Sequence, residues 1–456
     1  MDRKILYKMG AIALLTLLLM IPLALIEGQI KGRSDRQNEV LANIAQTAAG
    51  PQTLIAPLVA IQYKEWVETA AAKDDGQGHE PPQRLMVERV LLVPAAQLNI
   101  GGKAAVETRS RGIYKGRLYH LDLTVNGRVV IPANLGLTDR SRIIDPRATL
   151  VLGLADLRGV ENDPDLTVNG TRQRFVVPNG PRSALDKELP GARLQLDLGP
   201  VATDRASQFD FSFPLQLTGT ERLAIAPTAE TNHIALTSDW RHPSFQGRFL
   251  PRQREVGSEG FSATWEVSHL SRNLAQAAQA GAAPGQGINP SAPREVLEIS
   301  FMEPVNIYLQ AERAVKYGSL FIVLTFAAFF LGEVLRRRAM HPVQYLLVGL
   351  ALAIFFLLLI ALSEHLPFIV SYVISATACI GLITFYLAGA LGGLARGVAF
   401  GAGLTGLYGV LYGLLLSEDN ALLMGSVLLF IALGAVMLAT RRVDWYRLGQ
   451  ADDTAA

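Results

Sequence analysis

The chain has 456 residues, 50% of them hydrophobic and 18% charged, and its mean hydropathy is +0.26. That is too apolar for an ordinary soluble protein of this length and too charged for one embedded in lipid throughout, so part of the chain belongs in a bilayer and part in water. A net charge of +2 without a long basic run excludes nucleic acid as an electrostatic partner, and a single cysteine, Cys379, excludes an intramolecular disulfide.

The first element is an apolar run, Met9–Ile26, that carries no charge and is long enough to cross a bilayer. Arg3, Lys4 and Lys8 precede it and hold the N-terminus on the cytoplasmic side. A basic start and an apolar middle suit a secretory leader as well as a retained anchor. The length of the run, and the lack of an A-x-A site after it, favour the anchor. Ser34-x-x-Gln37 then has the form of a capping box, and Val40, Leu41, Ile44 and Ala48 follow at helical spacing up to Gly50-Pro51. This reads as a short amphipathic helix that leaves the membrane and packs on the next domain.

From Leu54 to Phe301 the pattern is mainly strand. Tyr119, Leu121, Leu123 and Val125 alternate with polar residues, and Asn126-Gly127 predicts a tight hairpin turn before Val129 and Ile131. The same six letters, Asp-Leu-Thr-Val-Asn-Gly, recur at 165–170, ahead of Arg172, Phe175 and Val177, which predicts a second hairpin. Strands are also expected through Leu194, Leu196 and Leu198, through Phe209–Leu217, through Phe261–Val267, and at Leu297, Ile299 and Phe301. Such alternation implies antiparallel sheets with one buried face, hence a sandwich-like all-β domain. Ala70–Pro82 and Ala275–Pro293 read as loops, and Pro304 opens a helix through Tyr308 and Ala311 into the second span.

Five more apolar runs follow: Gly318–Leu335, Val343–Leu362, Leu366–Leu387, Gly397–Leu416 and Ala421–Thr440. The first of them contains Glu333, placed to reach the interface beside Arg336 and Arg337. Basic residues mark the inner ends, at Arg336–Arg338, Arg396 and Arg441-Arg442. The opposite links hold Glu364-His365 and Glu418-Asp419 and lack Lys and Arg. The expected architecture is therefore six transmembrane helices plus a large periplasmic β domain. Residues 1–8 are a cytoplasmic N-terminus, 9–26 the anchor, 27–316 the periplasmic domain, 317–442 a five-helix bundle and 443–456 a cytoplasmic tail.

Motifs for chemistry are missing from the sequence. The seven histidines form no His-x-x-x-His pair, and His79-Glu80 runs into two prolines. His120 falls on the polar face of its strand. No Gly-x-Ser-x-Gly elbow, Ser-x-x-Lys box or phosphate-binding glycine loop occurs. The expectation is a non-enzymatic protein without metal or cofactor. Gly397, Gly401, Gly409 and Gly413 have the four-residue spacing that lets membrane helices approach closely. The densest polar–aromatic stretch supplies a candidate binding patch of Trp240, Arg241, His242 and Phe245. A structural corner, with Arg241 paired to Asp239 and the rings in the core, is the competing reading.

Several stretches together resemble the inner membrane protein CreD family, also called cell envelope integrity protein CreD. They are Gly50-Pro51-Gln52 with Leu54-Ile55-Ala56-Pro57, Arg111-Gly112-Ile113-Tyr114, Trp240-Arg241-His242-Pro243-Ser244-Phe245 and Phe249-Leu250-Pro251 with Arg254-Glu255-Val256. Further along come Arg313-Ala314-Val315-Lys316-Tyr317 and the run from His341-Pro342-Val343-Gln344 to Leu350, with Leu362-Ser363-Glu364-His365 after it. The resemblance implies a Gram-negative inner-membrane protein made under a two-component system and linked to envelope integrity, colicin tolerance and β-lactam response. It brings no catalytic residues. The first functional expectation is an envelope-integrity or stress-response factor whose periplasmic domain binds a wall, lipid or protein partner. The alternative is a transporter or lipid-handling protein that uses the helix bundle, with a periplasmic hydrolase ranked below both. An ion-coupled carrier is disfavoured, because the spans hold no ionisable group near their middle.

Overall fold

The computed structural model describes residues 3–68, 84–136, 143–179, 184–271, 273, 295–301, 306–336, 340–390, 393–416 and 421–441. The expected loops 70–82 and 275–293, Pro304, the charged residues Arg337, Arg338, Glu418, Asp419 and Arg442, and the tail 443–456 lie outside them. The chain divides into two compact units, residues 1–38 with 305–456, and residues 39–304.

The first unit is helical. Helix α1 spans Arg3–Thr47 without a break, so Ser34 is not a helix start. Between the apolar run and Ser34 only Gly28 and Gly32 weaken the helix, each by about 1 kcal/mol, and neither stops it. Leu19, Leu23, Ile26 and Ile30 form one buried stripe on α1, while Leu14, Leu17, Leu18, Ile21 and Leu25 stay exposed on the remaining faces. A short four-residue helix, α2 (Leu185–Glu188), belongs to the other unit. The remaining helices are α3 (Ile307–Lys316), α4 (Gly318–Arg336), α5 (Pro342–Ser363), α6 (Phe368–Ala390), α7 (Leu394–Leu416) and α8 (Ala421–Thr440). Among the described residues five segments are long and apolar enough to cross a membrane: α1, α3 with α4, α5, α6 and α7. In α8 the described apolar stretch is the shorter Leu423–Leu438.

Small residues set the packing of α1. Gly349 of α5 lies under Leu19, and Gly318 at the head of α4 lies under Leu23. Polar contacts sit at both ends of the apolar stretch. Lys8 pairs with Glu333, which also accepts a hydrogen bond from the Tyr345 hydroxyl at 3.2 Å. At the other end Arg33 lies 3.6 Å from Glu364, which accepts from the Tyr308 hydroxyl at 3.3 Å. Residues 8 and 33 are about 37 Å apart along a helix that rises 1.5 Å per residue. A hydrocarbon layer of roughly 30 Å fits between them. Glu333 thus finds its partner on α1. The His341-Pro342-Val343-Gln344 motif is a helix start: His341 Nδ1 accepts from the Val343 N–H at 3.3 Å, and Gln344 Oε1 accepts from the His341 N–H at 3.1 Å.

The second unit is built on strands β1 (Gln52–Glu68), β2 (Arg84–Arg111), β3 (Tyr114–Ile131), β4 (Ile144–Leu154), β5 (Asp165–Val168), β6 (Thr171–Arg174), β7 (Ala192–Pro200), β8 (Ser207–Thr220), β9 (Arg222–Ala226), β10 (Thr231–Ser238), β11 (Ser244–Gly247), β12 (Gln253–Gly257), β13 (Gly260–Ser268) and β14 (Leu297–Ser300). One layer holds β11-β14-β9-β1 with β4 and β7, and the other holds β3-β8-β5-β6 with β10, β13 and β12. Strand β2 serves both, pairing through Arg84–Pro94 with β1 and through Ala95–Arg111 with β3. The layers meet through rings: Phe245 of β11 stands edge-on to Phe261 and Trp265 of β13 at 5.5 and 5.8 Å, and Phe301 meets Tyr119 at 4.9 Å.

The sheet is mixed, because β1 pairs with β9, and β2 with β10, in parallel. Alternation reveals which face of a strand is buried but not its direction. Only a short connection forces two strands to run antiparallel, and these pairs are far apart in sequence. Residues 39–47, the end of α1, belong to this unit, with Leu41 and Ile44 over Gly116. Its end is tied by Gln52, which is buried and bonds the Asp156 and Thr218 carbonyls and the Asp156 N–H at 2.9, 3.2 and 3.2 Å. Asp156 in turn takes the Gly50 N–H. Its carboxyl is held below the usual range, chiefly by the Arg158 guanidinium and also by the Arg158 and Gly50 amides.

The repeated hexapeptide adopts two structures. At 165–170 it forms the expected hairpin, with Asn169 and Gly170 at φ of 49° and 82° between β5 and β6. At 122–127 there is no turn: Asn126 and Gly127 continue β3, opposite Ser212 and Phe211 of β8. Asn-Gly permits the turn without imposing it, and here strands on both sides extend the ladder. Gly127 has its own reason to be glycine, since a Cβ there would run into the Phe211 ring. Gly127→Val should therefore destabilise the β unit by about 1–3 kcal/mol through overpacking. Gly170→Ala has open space but a positive φ and should cost about 1–2 kcal/mol. Denaturant melts of the two variants, read by tryptophan fluorescence, check both; a neutral Gly127→Val would refute the ring contact.

On α7, a side chain at Gly397 would meet Ala388 of α6 at 2.8 Å, and one at Gly401 would meet Thr384. Gly413 lies near Met424 of α8, whose Cε would stand 3.1 Å from an added Cβ. Gly409 differs: among the described residues no atom lies within 4 Å of where its Cβ would be, and the glycine spacing does not bring it against one of the described helices. Gly401→Val is expected to lower the yield of folded protein on detergent extraction, measured by size exclusion, while Gly409→Val leaves it unchanged. Equal losses would show that helix propensity, not contact, governs both sites.

Candidate functional site

The patch residues sit on the connection from β10 to β11, and side chains fix its shape. Asp239 Oδ1 accepts the Val106 N–H at 2.9 Å, so this carboxylate is engaged by β2 backbone. Ser238 Oγ accepts the Trp240 N–H at 3.2 Å, and Trp240 Nε1 donates to the His242 carbonyl at 2.8 Å. Trp240 is half-buried against the core, and the Arg117 guanidinium lies 4.9 Å from its ring centroid. The His242 ring stands perpendicular to the Trp240 ring at 6.3 Å.

The four residues divide into two pairs. Phe245 turns inward onto Phe261 and Trp265, while Arg241 and His242 are exposed. The segment beyond is held as firmly. Trp265 Nε1 donates to the Phe249 carbonyl at 3.2 Å, the Arg248 N–H donates to the Val296 carbonyl at 2.9 Å, and the Arg248 guanidinium lies 2.5 Å from Glu295, which is only 1% exposed. A guanidinium and an imidazole are thus displayed on a pinned base beside a second guanidinium, that of Arg117. Nothing in the local sequence announces Arg117, which arrives from β3.

A second polar cluster lies on the outer face of the β3 layer. His120 Nδ1 stands 3.0 Å from Glu161 and 2.9 Å from the Thr218 hydroxyl, and Nε2 is 3.6 Å from Glu107. Glu107 accepts from Arg109 Nε at 2.7 Å. That bond, opposed by partial burial, is the main reason its carboxyl falls below the usual range. Thr218 is buried and gives its hydroxyl to Glu161, so it is not poised as a nucleophile. The cluster ties four segments, those of Glu107, His120, Glu161 and Thr218, by charge and hydrogen bond. Beside it, Leu157, Val160, Phe175 and Leu194, with Glu161 and Asp163, line an open cleft of about 400 Å³. Among the described residues no three His, Cys, Asp or Glu side chains converge on a metal-sized site.

The described geometry can be set beside known proteins. Two solved structures share a low likeness. A candidate nutrient-binding protein of Legionella pneumophila is 10% identical, with 50% of this chain and 71% of that one covered and a TM-score of 0.22. An M1 zinc metallopeptidase of Deinococcus radiodurans is 11% identical, with 46% and 42% covered and a TM-score of 0.19. Scores so low support no statement about fold or activity. Sequence is more telling. Inner membrane protein CreD of Escherichia coli (strain K12) is 35% identical over 451 residues, covering 96% of this chain and 93% of that one. The profile of the family described as inner membrane protein CreD matches residues 4–446, and the chain belongs to that family.

Proposed function

We propose that the chain is a non-enzymatic envelope-integrity factor of the inner membrane, whose β unit binds a wall, lipid or protein partner on the periplasmic side. The observation that carries this reading is the Trp240 turn: Arg241 and His242 are exposed on a segment pinned by three hydrogen bonds and two ring contacts at Ser238, Asp239 and Trp240. Rigid display lowers the entropy lost on binding, and arginine beside an aromatic base is a frequent hot-spot composition. Phe245 belongs to the base rather than the contact surface.

Arg241→Ala with His242→Ala is expected to leave membrane level and melting temperature unchanged and to abolish the envelope phenotype of the chain. Phe245→Ala is expected to destabilise the β unit by about 2–4 kcal/mol. Wild-type envelope behaviour in the double variant at normal abundance would remove the patch from the account.

The proposed topology has six spans, both termini in the cytoplasm and the β unit outside. It is supported by Lys8 and Arg396 at one set of helix ends and by Glu364 and His365 at the other. Alkaline phosphatase fused at Gln77 or Gly285 should be active and fused at the C-terminus inactive; an active C-terminal fusion contradicts the six-span count.

A further inference from the structure

The hexapeptide that occurs twice puts one sequence into two settings, and its Asn-Gly step is chemically labile in one of them. An asparagine followed by glycine can lose its side-chain amide without an enzyme. The glycine nitrogen attacks the side-chain carbonyl carbon. That step needs a nitrogen free to give its proton to water and free to turn toward the side chain. Glycine has no side chain to block the approach.

Asn126-Gly127 and Asn169-Gly170 share most of what governs the reaction. The four residues before each pair are the same, and both asparagines are exposed. Each side-chain oxygen accepts one hydrogen bond, from the Ser212 hydroxyl at 2.6 Å in Asn126 and from the Asp210 N–H at 2.9 Å in Asn169. In both cases the donor draws electrons away from the carbon to be attacked. Among the described residues neither side-chain nitrogen, which is the group that leaves, has a partner.

The two copies differ in the glycine nitrogen. Gly127 runs inside β3 with a ladder on each side, opposite Leu98 of β2 and Phe211 of β8. Its peptide plane is fixed, and bringing its nitrogen to the Asn126 side chain means breaking the ladders. Gly170 lies exposed in the turn between β5 and β6, at φ of 82°. Among the described residues its N–H bonds to nothing, as the second central residue of a tight hairpin allows. The turn is also held by little. Among the described strands β6 pairs with β5 alone, over four residues, and β5 meets β8 over two.

We propose that Asn169 is a site of spontaneous deamidation and that Asn126 is not. The Gly170 nitrogen gives its proton to water and bonds Asn169 Cγ. The bond from Cγ to the side-chain nitrogen breaks, and that nitrogen leaves as ammonia with a proton from water. A second water opens the resulting cyclic imide at either carbonyl, to aspartate or to isoaspartate. One water is consumed and one ammonia released, with no oxidant or reductant. Isoaspartate puts an extra carbon into the main chain of a turn with two central residues, so β5 and β6 lose their register. The product accumulates with the age of the molecule.

The test follows both sites in one sample. The intact protein in nanodiscs is kept at mildly alkaline pH in water enriched in heavy oxygen and is then digested with trypsin in ordinary water. The digest separates the sites into peptides 159–172 and 118–128. Heavy oxygen in the product acid counts only the conversion that preceded digestion, and fragment ions assign it to Asn169 rather than to Asn162 of the same peptide. Asn169 is expected to convert roughly tenfold or more faster than Asn126, because a small hairpin opens far more often than the middle of a ladder. Isoaspartate should be among its products. In a parallel sample unfolded in guanidinium chloride the two sites should convert at like rates. Equal rates in the folded protein, a faster Asn126, or a folded protein that converts neither site while the unfolded chain converts both would each overturn the proposal.

Discussion

The β unit depends on the hydrogen-bond ladder of a single strand. Over 28 residues β2 gives its first part to β1, its second part to β3, and its Gln97–Ala104 stretch also to β10. Both layers are therefore one connected sheet, bent where β2 passes from one layer to the other. With a single cysteine in the chain, and that one in a membrane helix, no covalent crosslink shares this task. The fold is held by the ladder and by the apolar side chains enclosed between the layers, from Leu54 and Val59 on one side to Leu121, Phe213 and Leu217 on the other.

The candidate patch follows from this arrangement. Trp240 rests where β10 leaves the β2 ladder, and Asp239 closes that point by taking the amide of Val106. Arg117, paired with Thr108 of β2, comes over the ring because β3 runs alongside β2. The cations are displayed by the sheet, not by a free loop. The ion pair between exposed Arg248 and buried Glu295 performs a similar service further on.

Much of this was legible in the sequence, for identifiable reasons. Alternation placed β7, β8, β13 and β14, because each has one face in the core and one toward water. It failed at Asn126-Gly127, where a turn signal of two residues competes with strand neighbours on both sides, and the neighbours prevail. Parallel pairing was invisible, because it is fixed by contacts more than a hundred residues apart. The same holds for the patch. Trp240, Arg241, His242 and Phe245 stand together in the chain and could be seen, but their division into displayed and buried members rests on Phe261, Trp265 and Arg117. The His120 cluster had no local signature, since Glu107, Glu161 and Thr218 come from three strands or connections. Gly409 shares the spacing of its neighbours and lacks their contacts, because spacing fixes a helix face but not what stands opposite it.

The partners of α1 have a consequence for biogenesis. Leu19 and Leu23 pack against α4 and α5, the first of which begins at Gly318, 295 residues after Leu23 (318 − 23 = 295). At a synthesis rate of roughly 5–20 residues per second, the ribosome needs about 15–60 seconds to deliver them. For that interval α1 waits alone in the bilayer while the whole β unit emerges. Its apolar stripe can wait without penalty, since lipid tails solvate it as well as Leu and Phe do. Lys8 and Arg33 wait at the headgroups. Closure of the bundle is therefore the last act of synthesis, and only then do Glu333 and Glu364 reach the basic residues at either end of a helix inserted long before.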